Sequence, residues 1–509
     1  MNRRDFLLAL GGLGAGATAA SAGAALLGRR DVAAGADRAA PTIRLEAREV
    51  TWELAPGRTV KAMAYNGRIP GPEIRVHEGE RVRVVLANSL SEPTTIHWHG
   101  VDVPNAMDGV PGVTQRPVAP GATFAYEFDA RPAGTRWYHT HFDEQRQMDL
   151  GLAAPLIIEP AEKEPVGYDR EVTLVLDDWA TGMGKPVPPT DAGTAGGRGK
   201  AGGMMSGMMR RDSGMDGMMG GRGMGGMMGG RGMGGMMGRD SEPAHDVMTI
   251  NGKAYPATEP LRVKKGERVR LRILNASAEH THVLRLAGHR LTVTHTDGNP
   301  LDAGVEVDAV PIAPAERYDV VVTANHPGAW FLHCTQPGHV EAGERMLMVY
   351  EGHARATPPA PERGITGLTL WEYGMGRGRA VLPVATGDTR NVVLTLGGGM
   401  MGSEVWTING KQYPDTEPIR CRKGDPLRIT LRNNSMEAHP MHLHGQSFRV
   451  LSASGVRYEH PLVKDVVDVE AHMGSAVVEA VAHNPGDWLF HCHKPMHMMG
   501  GMIALVKVG

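Results

Sequence analysis

The chain is short of cysteine, of net charge and of long apolar runs. Three cysteines among 509 residues cannot build a disulfide framework, even in an exported protein. Two of them, Cys334 and Cys492, sit in similar local sequences, which points to a task other than crosslinking. A formal charge of -2 leaves no basic field to recruit nucleic acid and no acidic tail. Beyond the N-terminus, no segment has the roughly 18 continuous apolar residues of a spanning helix, so the mature chain is expected to hold no stable membrane span. Aromatic residues make up only 5%. At roughly 150 residues per domain, the length suggests about three domains.

Glycine, methionine and histidine are in excess, at 68, 31 and 23 residues. Histidine is the commonest metal-binding side chain, and thioether sulfur is a soft ligand that favours Cu(I). Composition alone therefore raises copper. The N-terminus begins Asn2-Arg3-Arg4-Asp5-Phe6-Leu7-Leu8 and continues as an uncharged Ala/Gly/Leu run to residue 28. Glycines interrupt that run, so it matches a twin-arginine export signal better than an anchor. Signal and spacer are expected over residues 1–40, with the mature protein working in a periplasm or outside the cell.

One unit repeats three times. Residues 65–88, 249–275 and 407–433 each carry an Asn-Gly pair, a proline, then alternating apolar positions around a Gly-Glu or Gly-Asp turn. Asn-Gly supplies the positive φ angles of a tight hairpin, and period-2 alternation marks half-buried strands. The repeats close alike, on AGTRWYHTH, PGAWFLHCTQPGH and PGDWLFHCHKPMH. An all-β chain of three tandem antiparallel sandwiches follows, over about 42–160, 168–352 and 390–509, with a linker over 353–389. An insertion at 203–238 holds thirteen methionines and thirteen glycines between Met204 and Met237. It has no strand or helix pattern. A passive linker needs no methionine, and exposed thioethers invite oxidation, so the segment is read as a soft-metal trap.

Four segments carry the chemistry: HWHG at 97–100, HTH at 139–141, HPMHLHG at 439–445 and HCHKPMHMMGGM at 491–502. Histidines at i and i+2 on a strand share a face, so each pair offers two imidazoles to one site. In the last segment His491 and His493 face one way and Cys492 the other. A metal at Cys492 is thereby linked, through one residue's backbone, to metals at its neighbours. His439, His497 and Met502 complete two imidazoles, a thiolate and a weak axial thioether, the ligand set of a blue-copper electron-transfer site.

With these motifs, residues 42–509 resemble the multicopper oxidases, in particular the three-domain laccase-like and cuprous-oxidase branch. The resemblance implies three cupredoxin-like Greek-key sandwiches and four copper ions. It places the type 1 copper on His439, Cys492, His497 and Met502, and the type 2 copper on His97 and His442. The type 3 pair takes His99, His139 and His493 on one side, and His141, His444 and His491 on the other. The cluster would lie between the first and third domains, with the His491–Cys492–His493 relay feeding it. Asp108 fits the family's proton-relay acid. Many bacterial relatives also have a carboxylate directly after the type 1 histidine, where this chain has Met498, so a second proton donor is not evident.

The implied activity takes single electrons from a donor and uses four of them to reduce dioxygen to water. Met436, Glu437, Met441, Met496, Met498 and Met499 flank the type 1 histidines and are candidates for contact with that donor. Their thioethers, with the insertion, favour Cu(I) oxidation and a role in copper tolerance, alongside some laccase activity towards phenols. The alternatives are a phenol or aryl-amine laccase without that role, and a non-catalytic copper sequestration protein. Domain two echoes the type 1 pattern in His333, Cys334 and His339, with Met346 two residues late for an axial ligand. Thr335 stands in place of the second relay histidine, and His280 and His282 lie near the place equivalent to His439. A packed, empty remnant is the preferred reading, with a fifth copper as the alternative. Cys421, on an expected strand, is read as a buried thiol.

Overall fold

In the strand Arg81–Asn88 every second side chain is buried, as a sheet with one covered face requires. The same alternation recurs in Pro426–Asn433 and Ser475–Val481. The computed structural model describes residues 42–181, 245–363, 382–400 and 403–509. The expected export signal and the methionine-rich insertion lie outside the described residues. Among the described residues, no helix is long and apolar enough to cross a membrane.

The strands form six sheets, two to each sandwich. The first sandwich pairs two four-stranded sheets, and the second and third each pair a six-stranded with a five-stranded sheet. Each mixes parallel and antiparallel neighbours: Thr42–Ala55 runs parallel to Arg81–Asn88, Arg170–Trp179 to Arg268–Asn275, and Arg390–Gly398 to Pro426–Asn433. The repeated Asn-Gly pairs turn these chains. Asn66, Asn251 and Asn409 have φ of 52°, 53° and 54°, and the glycine after each is also positive, as a type I′ turn demands. Among the described residues helix is confined to short pieces, including Glu144–Gln147 and Pro495–Met499, which pack together.

The first and third sandwiches share one continuous apolar core, whereas the second has its own. A smaller cluster around Trp137 draws on all three, through Val175, Leu274 and Val466. The second sandwich thus acts as a wedge under the contact between the other two. Its seam with the first is close enough that a Cβ on Gly134 would sit 2.0 Å from the Gly298 carbonyl oxygen.

That seam is also ionic. Asp319, fully buried, accepts hydrogen bonds from Thr135 Oγ1 at 2.7 Å and from Arg270 at 2.5 Å, with Arg272 at 3.3 Å. Burial alone would raise its pKa, but the two guanidinium groups hold the carboxyl below its ordinary range. Glu164 completes the group: against the rise from burial, His295 and Arg270 pull it from 4.5 down to about 2.

Asp319→Ala takes one of two carboxylate partners from each of two buried guanidinium groups, leaving Arg270 with Glu164 and Arg272 with Glu171. It is expected to destabilise the protein by about 3–5 kcal/mol, read as a lower unfolding midpoint in denaturant. Glu164 is one source of acid sensitivity: its contribution is intact above its unfolded pKa of 4.5 and is lost as the pH falls through its folded value. Glu164→Gln should therefore narrow the stability difference between neutral and acidic solution.

Candidate metal centres

Four strands from two sandwiches deliver eight imidazoles to one buried point. His97 and His99 lie on the strand His97–His99, and His139 ends Gly134–His139, with His97 directly opposite His139. His442 lies on His439–Leu443, opposite His491 on Gly486–Cys492. His141, His444 and His493 follow their strands by one or two residues. The ligand atoms of three trios each fall within 4.8 Å of one another: His97, His99 and His442; His99, His139 and His493; His141, His444 and His491. His99 stacks on His442 at 3.7 Å, and His97 on His444 at 3.9 Å between ring centres.

The outer ring nitrogens are anchored. His97 Nδ1 donates to the Asp108 carbonyl at 2.8 Å, His139 Nδ1 to the Thr140 carbonyl at 2.7 Å and His442 Nδ1 to the Asp465 carbonyl at 2.8 Å. His491 Nδ1 donates to the Cys492 carbonyl at 2.9 Å, and His99 Nε2 donates to Asp465 Oδ1 at 3.0 Å. Such anchors fix the tautomer, so the inner nitrogen keeps its lone pair. The inner nitrogens of His97, His99, His139, His141, His442 and His493 are buried without a hydrogen-bond partner. Each orphaned group costs about 1–3 kcal/mol unless something binds it. Burial, then the neighbouring imidazoles, push His99, His139, His141, His442, His444 and His493 well below their ordinary pKa. Neutral imidazole is the form that ligates metal, so the donor set fits a cluster of metal ions.

A second centre lies on the other face of the Gly486–Cys492 strand. Cys492 Sγ is 3.6 Å from His439 Nδ1 and 3.4 Å from His497 Nδ1, and the two nitrogens are 3.0 Å apart. His439 Nε2 is tied to Ser435 Oγ at 2.7 Å, and His497 Nε2 donates to Glu437 Oε2 at 3.2 Å. Trp406 lies against the His497 ring at 3.7 Å. Met502 is fully buried, and its carbonyl accepts the Cys492 N–H at 3.2 Å.

Three stretches, residues 46–163, 227–353 and 385–509, match multicopper oxidase family models. The multicopper oxidase MmcO of Mycobacterium tuberculosis is 34% identical over 479 residues, spanning 89% of this chain and 86% of that protein. The chain belongs to the multicopper oxidases. A copper resistance protein A homolog of Pseudomonas syringae pv. tomato is 27% identical, over 89% of this chain and 90% of that protein. The crystal structure of a multicopper oxidase from Pseudomonas thermotolerans matches with a TM-score of 0.66 and 27% identity, covering 92% of this chain and 99% of that one.

Members of the family bind four copper ions, and the buried His and Cys groups of this chain suit that complement. Copper supplies one-electron exchange with the donor and the four-electron reduction of dioxygen to water. The protein's part is to hold the ligands, keep the cavity dry and deliver protons. Asp108 faces the cluster: its Oδ2 is 3.0 Å from His444 Nδ1 and its Oδ1 3.2 Å from His97 Nδ1.

Several residues that matter here carried no sequence signal. Asp465 is one, and Ser435 and Trp406 are others. The most consequential is Glu144, whose Oε1 lies 3.1 Å from His141 Nδ1. Burial pushes its carboxyl up to about 8. It sits on the short helix that packs against Pro495–Met499, the helix that carries Met498 where the resemblance led us to expect a carboxylate. The acid missing from one helix is thus present on its neighbour. Of the residues expected around the donor, Met436 is 71% exposed and Met499 45%, and Glu437 and Met496 are partly exposed. Met441 corrects that expectation: lying opposite Cys492, it is turned wholly into the core, out of reach of a donor. Met498 is likewise buried.

Glu144→Gln keeps the shape and loses the transferable proton. Steady-state oxygen consumption should fall by about 10²-fold, the scale of a lost acid, while anaerobic reduction of the type 1 colour keeps its rate. An unchanged turnover number would reduce Glu144 to a positioning partner of His141.

Proposed function

We propose that the physiological electron donor is Cu(I) and that the protein serves copper tolerance after export by the twin-arginine route. Four Cu(I) ions give up one electron each, and with one dioxygen and four protons yield four Cu(II) and two waters. The observation that carries this reading is the surface of the type 1 centre. His497 as a whole is 1% exposed, so a planar phenol has little imidazole to stack on. What reaches solvent instead is the Glu437 carboxylate, hydrogen-bonded to His497 Nε2 and paired with Lys494. Those partners hold its carboxyl at about 2 despite part burial, so it stays anionic. Exposed Met436 is its sequence neighbour, and exposed Met499 follows His497 by two residues.

A carboxylate with exposed thioethers near it and near His497 in the sequence suits a soft cation that leaves as a harder one. Thioether favours Cu(I), carboxylate accommodates Cu(II), and the hydrogen bond to His497 gives the electron a short path inward. The methionine-rich insertion at 203–238 would raise the local Cu(I) supply. The Asp108 and Glu144 carboxyls would serve the four protons from two sides of the cluster.

The test is oxygen uptake by the copper-loaded mature chain, with Cu(I) or a dimethoxyphenol as donor. Deleting residues 203–238, or replacing Met436 and Met499 together with leucine, should cut Cu(I) turnover about tenfold and leave phenol turnover equal or higher. Cu(I) turnover that is negligible in the parent, or untouched by both changes, would hand the role to an organic donor. Glu437→Gln removes an anion beside His497 and should raise the type 1 potential by about 60 mV, a factor of ten for a one-electron couple, measured by redox titration of the blue band.

A further inference from the structure

Domain two contains a second copy of the type 1 frame, complete to its hydrogen bonds. His282 Nε2 is tied to Ser277 Oγ at 2.7 Å, as His439 is to Ser435. The Ser277 N–H donates to Asn275 Oδ1 at 2.9 Å, as Ser435 does to Asn433 at 2.8 Å. Cys334 stands opposite Leu284, two residues past His282, and Cys492 stands opposite Met441, two residues past His439. The closing turn also matches: Cys334 N–H donates to the Glu344 carbonyl at 3.3 Å, and Glu344 N–H to the His339 carbonyl at 2.9 Å. The equivalent bonds run from Cys492 to Met502 and from Met502 to His497, at 3.2 and 3.0 Å. The axial position of this copy is therefore Glu344, two residues before Met346, which the sequence spacing had marked as late for that role.

We infer that His282, Cys334, His339 and Glu344 form a fifth metal site, taking a divalent borderline ion of the Zn2+ or Cu2+ kind. The four side chains are buried and their ligand atoms lie within 4.8 Å of one another. Glu344 Oε2 is 2.7 Å from His282 Nδ1 and 2.9 Å from His339 Nδ1, so both imidazoles present the nitrogen used in the type 1 frame. A thiolate and a carboxylate together cancel the charge of a divalent ion, which makes the filled site neutral in a buried setting where net charge is costly. Two nitrogens, a thiolate and a carboxylate are four strong donors, the tetrahedral set that zinc accepts.

Two differences from the type 1 centre remove redox duty from this site. A strong axial carboxylate replaces the weak thioether and favours the divalent state. The Val283 N–H donates to Cys334 Sγ at 3.2 Å, a hydrogen bond that would draw electron density from a metal-bound sulfur. Pro440, at the same place in domain three, has no N–H to give. Nor is there a relay: Thr335 supplies no imidazole, and His333 Nε2 is tied to the Glu362 carbonyl at 3.1 Å. The bound ion is structural, joining two strands of the wedge domain to the turn that follows Cys334.

The test uses the full mature chain, copper-loaded and then freed of loose metal, with the type 1 band of Cys492 as an internal check of folding. Elemental analysis should find five metal ions per chain, and four in Glu344→Gln and in Cys334→Ala, with the blue band and oxygen uptake retained. Zinc in the difference identifies one ion, and a fifth copper the other. As a second measurement, Co2+ added to Cys492→Ser should give a thiolate-to-cobalt band that vanishes when Cys334→Ala is added. Four ions in the parent with no such cobalt band, or a fifth ion retained by both variants, would overturn the site.

Discussion

Asp465 is shared by more of this molecule than any ligand is. Its carboxylate takes two hydrogen bonds from Arg317 at 2.6 Å, and its Oδ1 also accepts from His99. Its carbonyl accepts from His442, and Arg136 reaches its Oδ2 at 3.5 Å. One residue of the third sandwich thereby orients an imidazole from the first and one from the third, while an arginine of the second holds it in place. Burial pushes the carboxyl's pKa up, and the two guanidinium groups oppose that rise. A buried ion pair is weak as a source of stability, but removing one partner is expensive. Its use here is specificity of placement: the first and third sandwiches meet at the angle that lets their histidines converge.

That convergence is what strand geometry could and could not foretell. Side chains two apart on a strand share a face, so the His-x-His pairs announce their own pairing in the sequence. The opposed facing of Cys492 between His491 and His493 is equally local. The three repeats were legible because Asn-Gly turns and alternating strands recur at matching places. Glu144, Asp465 and Trp406 were not legible, because each acts through a neighbour distant in the chain or through a turn that periodicity does not describe. Met441 shows the limit in reverse: nearness in sequence to His439 suggested the surface, yet its strand parity puts it beside Cys492 in the core. Glu344 lies as far past Cys334 as Met502 lies past Cys492, and the backbone hydrogen bonds of the turn put it in the axial position.

The two His-Cys-His frames separate what a fold provides from what ligands decide. Both have the serine behind the first histidine and the same backbone bonds across the closing turn. Three substitutions and one redirected histidine divide them: Met502 against Glu344, Pro440 against Val283, His493 against Thr335, and His491 against a tied-back His333. Each change acts on a different physical quantity, namely axial ligand strength, hydrogen bonding to sulfur and onward connection. A site for moving electrons needs a weak axial ligand and a partner to pass them to. A site without either can only hold an ion, and the wedge under the catalytic contact is where rigidity is of most use.

Protons and electrons reach the cluster from different sides, and the carboxylates are arranged accordingly. Glu437 lies outside the type 1 centre, where the N–H of His497 and the ammonium of Lys494 keep it ionised and able to meet a cation. Glu144 lies beside the cluster with no guanidinium or ammonium near enough to offset burial, so it keeps its proton near neutral pH. The same functional group thus carries opposite charge states at two places. Exchanging those environments would leave the donor site without an anion and the cluster without an acid. Met498 is then no defect of the second proton route, because the helix it sits on packs against the one that carries Glu144, and only one of the two needs the acid.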